Sequence, residues 1–140
     1  MAEGYAGDVT PQDAWAALKA EPDAVLVDVR TKPEWSYVGV PDLAALGKKL
    51  VTIEWQSWPD GRLNPDFAQA VAAAGVKPSD KVLLLCRSGV RSKAAAQLLT
   101  EGGWSRCYNV SDGFEGPHDA TRHRGTVAGW QHDGLPWTQG

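Results

Sequence analysis

Short apolar runs alternate with amphipathic segments along the chain. Four runs are rich in Val, Leu and Ile and short enough to be strands buried on both faces of a sheet. They lie at 24–30, 50–53, Lys81–Leu85 and Cys107–Val110. Helical periodicity marks 10–20, 65–74 and 93–99. This alternation predicts an α/β fold with a parallel sheet covered by helices.

Helix boundary signals support these assignments. Thr10 is a suitable N-cap and Pro11 a suitable first helical residue, while Asn64 precedes the second helix and Gly75 ends it. Residues 31–49 predict mostly loop, with one helical turn at 42–46. The aperiodic segment after 110 predicts either a tail that folds back or a lid.

Composition restricts the possible functions. A chain of 140 residues favours one domain spanning 1–140, and its net charge of -3 offers no basic surface for nucleic acid or an anionic membrane. With no leader-like start and no membrane-length apolar stretch, a cytoplasmic location is expected. The two cysteines fit neither a disulfide framework nor zinc-ligand spacing, so we expect both thiols to be free. No metal and no cofactor is expected.

The candidate chemistry lies between the third strand and the third helix. Cys86 follows the strand and opens a short connection that continues with Arg87, Ser88, Gly89, Val90, Arg91 and Ser92. Such a loop turns successive N–H groups inward, and the next helix adds its own unpaired donors and its positive dipole end. The pattern therefore predicts an anion cradle that favours a nucleophilic thiolate on Cys86.

Free cysteines most often serve as small packed residues, which is the alternative for Cys86. Two arginines, two serines and a glycine in the next six positions are not needed for a structural turn, so they favour the catalytic interpretation. Arg91 is the better candidate anion ligand, whereas Arg87 could equally face the solvent.

Several segments together resemble the rhodanese-like domains. These are Val27-Asp28-Val29-Arg30, Glu34, the 86–92 loop after Lys81-Val82, and the helix at 94–99. The resemblance covers a core of about 10–115, leaves a C-terminal extension at 116–140, and implies a parallel sheet of about five strands. It also implies that Cys86 carries sulfur as a persulfide, that residues 87–91 cradle it, and that Asp28 and Arg30 brace the site.

The implied activity is sulfur transfer. Cys86 would accept sulfane sulfur from thiosulfate or another small donor and pass it to cyanide or a thiol, including a thiol carrier protein. One rival is a cysteine phosphatase, whose signature has five residues between cysteine and arginine, whereas four separate Cys86 from Arg91. Another is a non-catalytic rhodanese module, although such modules commonly lose the cysteine.

Four further residues have two interpretations each. Cys107 could resolve the persulfide as a disulfide, but its place on a predicted strand favours core packing. Trp35, Trp55 and Trp58 could wall the pocket or belong to the core.

Overall fold

The computed structural model describes residues 4–139, which form seven strands and three α-helices. In chain order these are β1 (Gly7–Val9), α1 (Pro11–Ala20), β2 (Ala24–Asp28), β3 (Val40–Pro41), β4 (Val51–Thr52), α2 (Phe67–Ala73), β5 (Lys81–Leu85), α3 (Val90–Glu101), β6 (Cys107–Val110) and β7 (Trp137–Thr138). A π-helical turn at Glu34–Val38 and a 3-10 turn at Ala44–Leu46 lie in the predicted loop. No helix within 4–139 is long and apolar enough to cross a membrane.

Five strands form a parallel sheet in the order β1-β6-β5-β2-β4. The α/β class and the five-stranded parallel sheet are therefore confirmed. β1 was not predicted, because a three-residue Gly-Asp-Val strand carries no readable periodicity. With β1 the sheet begins at Gly7, before the expected core boundary at residue 10.

Side chains of the central strands alternate between two hydrophobic cores, one on each face of the sheet. On β5, Val82 and Leu84 belong to the core beneath α2 and α3, whereas Leu83 and Leu85 belong to the core beneath α1. Because both faces are covered, the carboxyl ends of β2 and β5 are held rigidly side by side, with Asp28 paired to Leu85.

The three helices lie where they were predicted, but some of their ends differ. Thr10 caps α1 by accepting a hydrogen bond from the N–H of Asp13 at 3.1 Å. α2 begins at Phe67 rather than 65, because Asn64 instead binds the N–H of Asp66 in a turn. α3 begins at Val90 rather than 93. Residues 90–92 of the 86–92 loop therefore belong to its first turn.

The C-terminal segment folds back onto the domain. β7 pairs antiparallel with β3, and Trp130 is fully buried against α1, where its ring meets that of Trp15 edge to face at 5.9 Å. The folded-back alternative for the tail is therefore correct. Trp130 and Leu135 anchor it in the core beneath α1.

Candidate active site

Cys86 lies directly after β5, at the base of a cavity of about 340 Å³. Its sulfur accepts hydrogen bonds from the N–H of Gly89 at 3.1 Å and the hydroxyl of Ser92 at 3.2 Å. Only 1% of the residue is exposed, so a reactant reaches the sulfur through the cavity. The sulfur therefore lies within hydrogen-bond distance of two polar groups of the loop.

The N-terminus of α3 faces the same sulfur. Its N-cap residue, Gly89, has φ of +101° and no side chain with which to cap the helix, so the first-turn N–H groups stay available to a ligand. A Cβ at this position would collide with the carbonyl oxygen of Ser111, so only glycine fits. An anion cradle requires such a helix N-terminus, and the cradle itself stays a prediction.

The loop is fixed from behind by backbone groups of the segment after β6. The N–H of Phe114 donates to the carbonyl of Cys86 at 2.8 Å, and those of Glu115 and Gly116 donate to the carbonyl of Arg87 at 3.0 and 3.1 Å. Because the N–H of a trans peptide group points opposite to its carbonyl, the N–H groups of Arg87 and Ser88 point away from the segment 114–116. Sequence reasoning missed this support, because backbone hydrogen bonds between distant segments leave no side-chain signature.

Gly113 permits this close approach. A Cβ built on it would lie 2.5 Å from the backbone carbon and oxygen of Arg87, and its φ of +68° is itself unfavourable for other residues. The loop and the segment 113–116 therefore form one interlocked unit.

A buried polar network continues from the sulfur to the edge of the sheet. The hydroxyl of Ser92 also lies 2.6 Å from Oδ1 of Asn109 on β6. Nδ2 of Asn109 donates in turn to the carboxylate of Asp8 at 3.0 Å and the carbonyl of Gly89 at 3.2 Å. Asn109 thus links Ser92, Gly89 and β1, a role that its place on a predicted strand did not reveal.

Arg91 lines the cavity but is bound by an acidic residue. Its two terminal nitrogens donate to the two carboxylate oxygens of Glu34 at 2.7 and 2.9 Å. Burial opposes ionisation of both groups. Their mutual hydrogen bonds and attraction outweigh it, holding the pKa of Glu34 below and that of Arg91 above its ordinary value. The sequence motif contained Glu34, but nothing in it indicated this pairing.

The rest of the lining differs in exposure. Arg87 is exposed at the rim and forms no ion pair among residues 4–139, Ser88 is half-buried, and Val90 is 76% exposed. Gln56 completes the lining. The side chain of Arg87 is exposed to solvent at the mouth of the cavity, and its role as an anion ligand stays a prediction.

Asp28 and Arg30 form a fully buried ion pair with an N···O distance of 2.7 Å. The guanidinium of Arg30 also donates to the carbonyl of Gly39 at 2.7 Å and lies 4.3 Å from the ring centre of Phe114. Since the N–H of Phe114 holds the carbonyl of Cys86, this pair lies beneath the loop's support and does not line the cavity. That arrangement is compatible with the bracing role expected for both residues.

The tryptophans and Cys107 do not line this cavity among the described residues. Trp55 packs edge to face on Phe67, and Trp58 projects into solvent. Cys107 is fully buried in the core beneath α2 and α3 and pairs with Val82, near the opposite end of the sheet from Cys86. Core packing is therefore its role in this fold.

The chain matches known proteins in both sequence and structure. The STR4 middle domain family model matches residues 6–140. The crystal structure of Rv0390 from M. tuberculosis has a TM-score of 0.87 and 50% identity, covering 97% of this chain and 99% of its own.

The curated relatives include uncharacterized, thiosulfate sulfurtransferase and rhodanese-like proteins. The uncharacterized protein RC0915 of Rickettsia conorii is 38% identical over 89% of this chain and 90% of its own. Thiosulfate sulfurtransferase GlpE of Glaesserella parasuis is 31% identical over 78% and 83%. Rhodanese-like domain-containing protein 4 of Arabidopsis thaliana, a chloroplastic protein, is 27% identical over 95% of this chain and 26% of its own.

Proposed function

The chain belongs to the STR4 middle domain family, and on that premise we propose that it is a rhodanese-type sulfurtransferase that carries sulfur as a persulfide on Cys86. The observation that carries the proposal is the position of the Cys86 sulfur, at the base of a cavity and within hydrogen-bond distance of the Gly89 N–H and the Ser92 hydroxyl. A relative named thiosulfate sulfurtransferase supports the reaction class.

In the first half-reaction, the Cys86 thiolate attacks the outer sulfur of a small sulfane donor. With thiosulfate, the new S–S bond forms on Cys86 as the bond to the sulfite group breaks, so sulfite leaves with the electron pair. The N–H groups at residues 87–91 and the dipole of α3 stabilise the anion that develops. A persulfide with one negative charge remains on Cys86.

In the second half-reaction, an acceptor attacks the outer persulfide sulfur and restores the thiolate. Cyanide would leave as thiocyanate, and a thiolate would leave as a persulfide, which includes the cysteine of a thiol carrier protein. The main-chain cradle supplies the polar groups for both steps, so the cycle requires no metal or cofactor. Both cysteines are free, which suits a reducing compartment such as the cytoplasm.

Phosphate-ester hydrolysis is the weaker candidate. A phosphatase needs an acid to protonate the leaving group, and the lining that the structure describes contains no carboxylate. The closest acidic partner of that lining, Glu34, is already bound to Arg91.

The test is intact-mass spectrometry of wild type and Cys86→Ser after incubation with thiosulfate or with hydrodisulfide, followed by cyanide. We expect a gain of about 32 Da, one sulfur atom, that requires Cys86 and disappears with cyanide. A matched Cys107→Ser variant should gain the same mass. Lack of an adduct from both donors would contradict the proposal, and hydrolysis of an aryl phosphate by the same sample would favour the phosphatase.

A further inference from the structure

The positive charge of the site is largely neutralised within the protein. Glu34 binds Arg91 through two parallel hydrogen bonds, an arrangement that matches both charge and shape. The side chains of the pair are only 19% and 21% exposed, so water competes weakly for them. Toward the cavity the pair therefore acts as a nearly neutral unit.

Glu34 is also anchored on its own side. Its Oε1 accepts the N–H and the hydroxyl of Thr31 at 3.1 and 3.0 Å. These bonds hold the carboxylate in place independently of Arg91, and its lowered pKa keeps it ionised at neutral pH. A donor anion that competes for Arg91 must therefore displace a fixed carboxylate.

Only Arg87 remains as an unpaired cation of the cavity lining among the described residues. It is exposed at the rim, where solvent weakens its field. The incoming donor must also approach a thiolate that is itself negative. Each further negative charge on the donor therefore adds repulsion that a single rim cation offsets poorly.

We propose that Glu34 is a specificity-determining residue, and that the site takes singly charged sulfane donors such as hydrodisulfide in preference to the dianion thiosulfate. This inference rests on the proposed sulfur transfer at Cys86 and names its substrate class. In the favoured step the thiolate attacks hydrodisulfide, an S–S bond forms on Cys86, and hydrosulfide departs with the electron pair. The thiolate and hydrodisulfide together carry two negative charges, whereas the thiolate and thiosulfate together carry three.

The experiment compares single-turnover rate constants of persulfide formation for the two donors, measured by quenched intact-mass spectrometry. Hydrodisulfide is intrinsically the more reactive donor. The readout is therefore the rate constant with thiosulfate divided by that with hydrodisulfide, and how this ratio changes between variants. Glu34→Gln releases the charge of Arg91 and should raise that ratio about fivefold, the order expected for one unit charge about 4 Å away in a water-like dielectric. The double variant Glu34→Gln/Arg91→Gln restores neutrality and should return the ratio to within about twofold of wild type.

Arg87→Gln provides a second test at an exposed position, where folding is not at risk. Because it removes the unpaired cation, whose field the solvent weakens, it should lower the same ratio about twofold. An unchanged ratio in Glu34→Gln or Arg87→Gln, with persulfide still forming, would overturn the inference and leave the proposed function intact. Absence of any 32 Da adduct from either donor in wild type would instead refute the function itself.

Discussion

The hydroxyl of Ser92 lies 2.6 Å from the amide oxygen of Asn109, closer than to the sulfur of Cys86 at 3.2 Å. A serine hydroxyl has one proton, so it donates to only one of these acceptors at a time. Asn109 is held in a fixed orientation, because its NH₂ group already donates to Asp8 and Gly89. Ser92 can therefore turn its proton to the sulfur when that sulfur becomes anionic.

Ser92→Ala should slow the chemistry of Cys86. The variant removes one donor from the thiolate, and a hydrogen bond to a charged group contributes about 1.5 kcal/mol, so alkylation of Cys86 by iodoacetamide at pH 7 should slow about tenfold. Ser88→Ala, in the same loop, is the matched control and should change the rate less than about twofold. Equal rates in wild type and Ser92→Ala would show that the hydroxyl stays with Asn109.

Gly113→Ala should disrupt the interlocked loop. A methyl group there meets the backbone of Arg87 at 2.5 Å, so we expect a loss of about 3 kcal/mol in the free energy of unfolding together with loss of sulfur transfer. Gly47→Ala is the control, because its φ of +64° is similar but nothing lies within 4 Å of the added carbon. It should cost about 1 kcal/mol in urea unfolding and leave transfer unchanged. Similar losses in both variants would assign the effect to backbone strain alone.

Trp137→Ala should loosen the support of the loop from the C-terminal segment. Its ring packs edge to face on Phe114 at 5.9 Å, and Phe114 holds the carbonyl of Cys86. Loss of this half-exposed ring should lower the free energy of unfolding by about 1–2 kcal/mol and reduce the persulfide rate. Tyr37→Ala, which removes a 78% exposed ring, should change stability by less than about 0.5 kcal/mol. A persulfide rate unaffected by Trp137→Ala would separate the tail from the active site.

Cys107 should remain a thiol in the folded protein up to strongly alkaline pH. Burial raises its pKa to about 11, and the hydrogen bond with Thr100 offsets this only in part. In the unfolded chain the thiol ionises near its ordinary pKa of about 8.5, so between there and pH 11 the unfolded state binds fewer protons and stability falls as pH rises.

The slope contributed by this thiol should approach about 1.4 kcal/mol per pH unit in that window. Urea unfolding of wild type and Cys107→Ala at pH 8 and pH 10 isolates the contribution of this thiol, because the two proteins have all other titrating groups in common. The difference in stability between the two proteins should shrink at pH 10. If that difference is the same at both pH values, the thiol ionises equally in the folded and unfolded states.

The sequence contained the fold in its strongest periodic signals. Lys81–Leu85 and Cys107–Val110 were predicted with their true bounds, because fully buried parallel strands consist almost wholly of apolar residues. β1, β3 and β7 are two or three residues long and depend on their pairing partners, so no local pattern indicated them. The nucleophilic loop was found because its chemistry is consecutive in sequence.

The partners of that loop were harder to predict. Glu34 and Arg91 are 57 positions apart, and Ser92 and Asn109 are 17 apart, so only the folded chain shows that they meet. The roles of Phe114, Glu115 and Gly116 depend on their N–H groups, which every non-proline residue has.

The sulfur of Cys86 is held by the N–H of Gly89 and the hydroxyl of Ser92, and backbone hydrogen bonds from the segment 114–116 fix the loop from behind. The side chains of Arg87, Ser88 and Val90 line the cavity but do not hold the sulfur. They can therefore be substituted while Gly89 and Gly113, which have no room for a side chain, are kept. A combinatorial library at these three positions would change which substrates bind while the reactive centre is unaltered. Substrate choice and sulfur chemistry can therefore evolve separately in this fold.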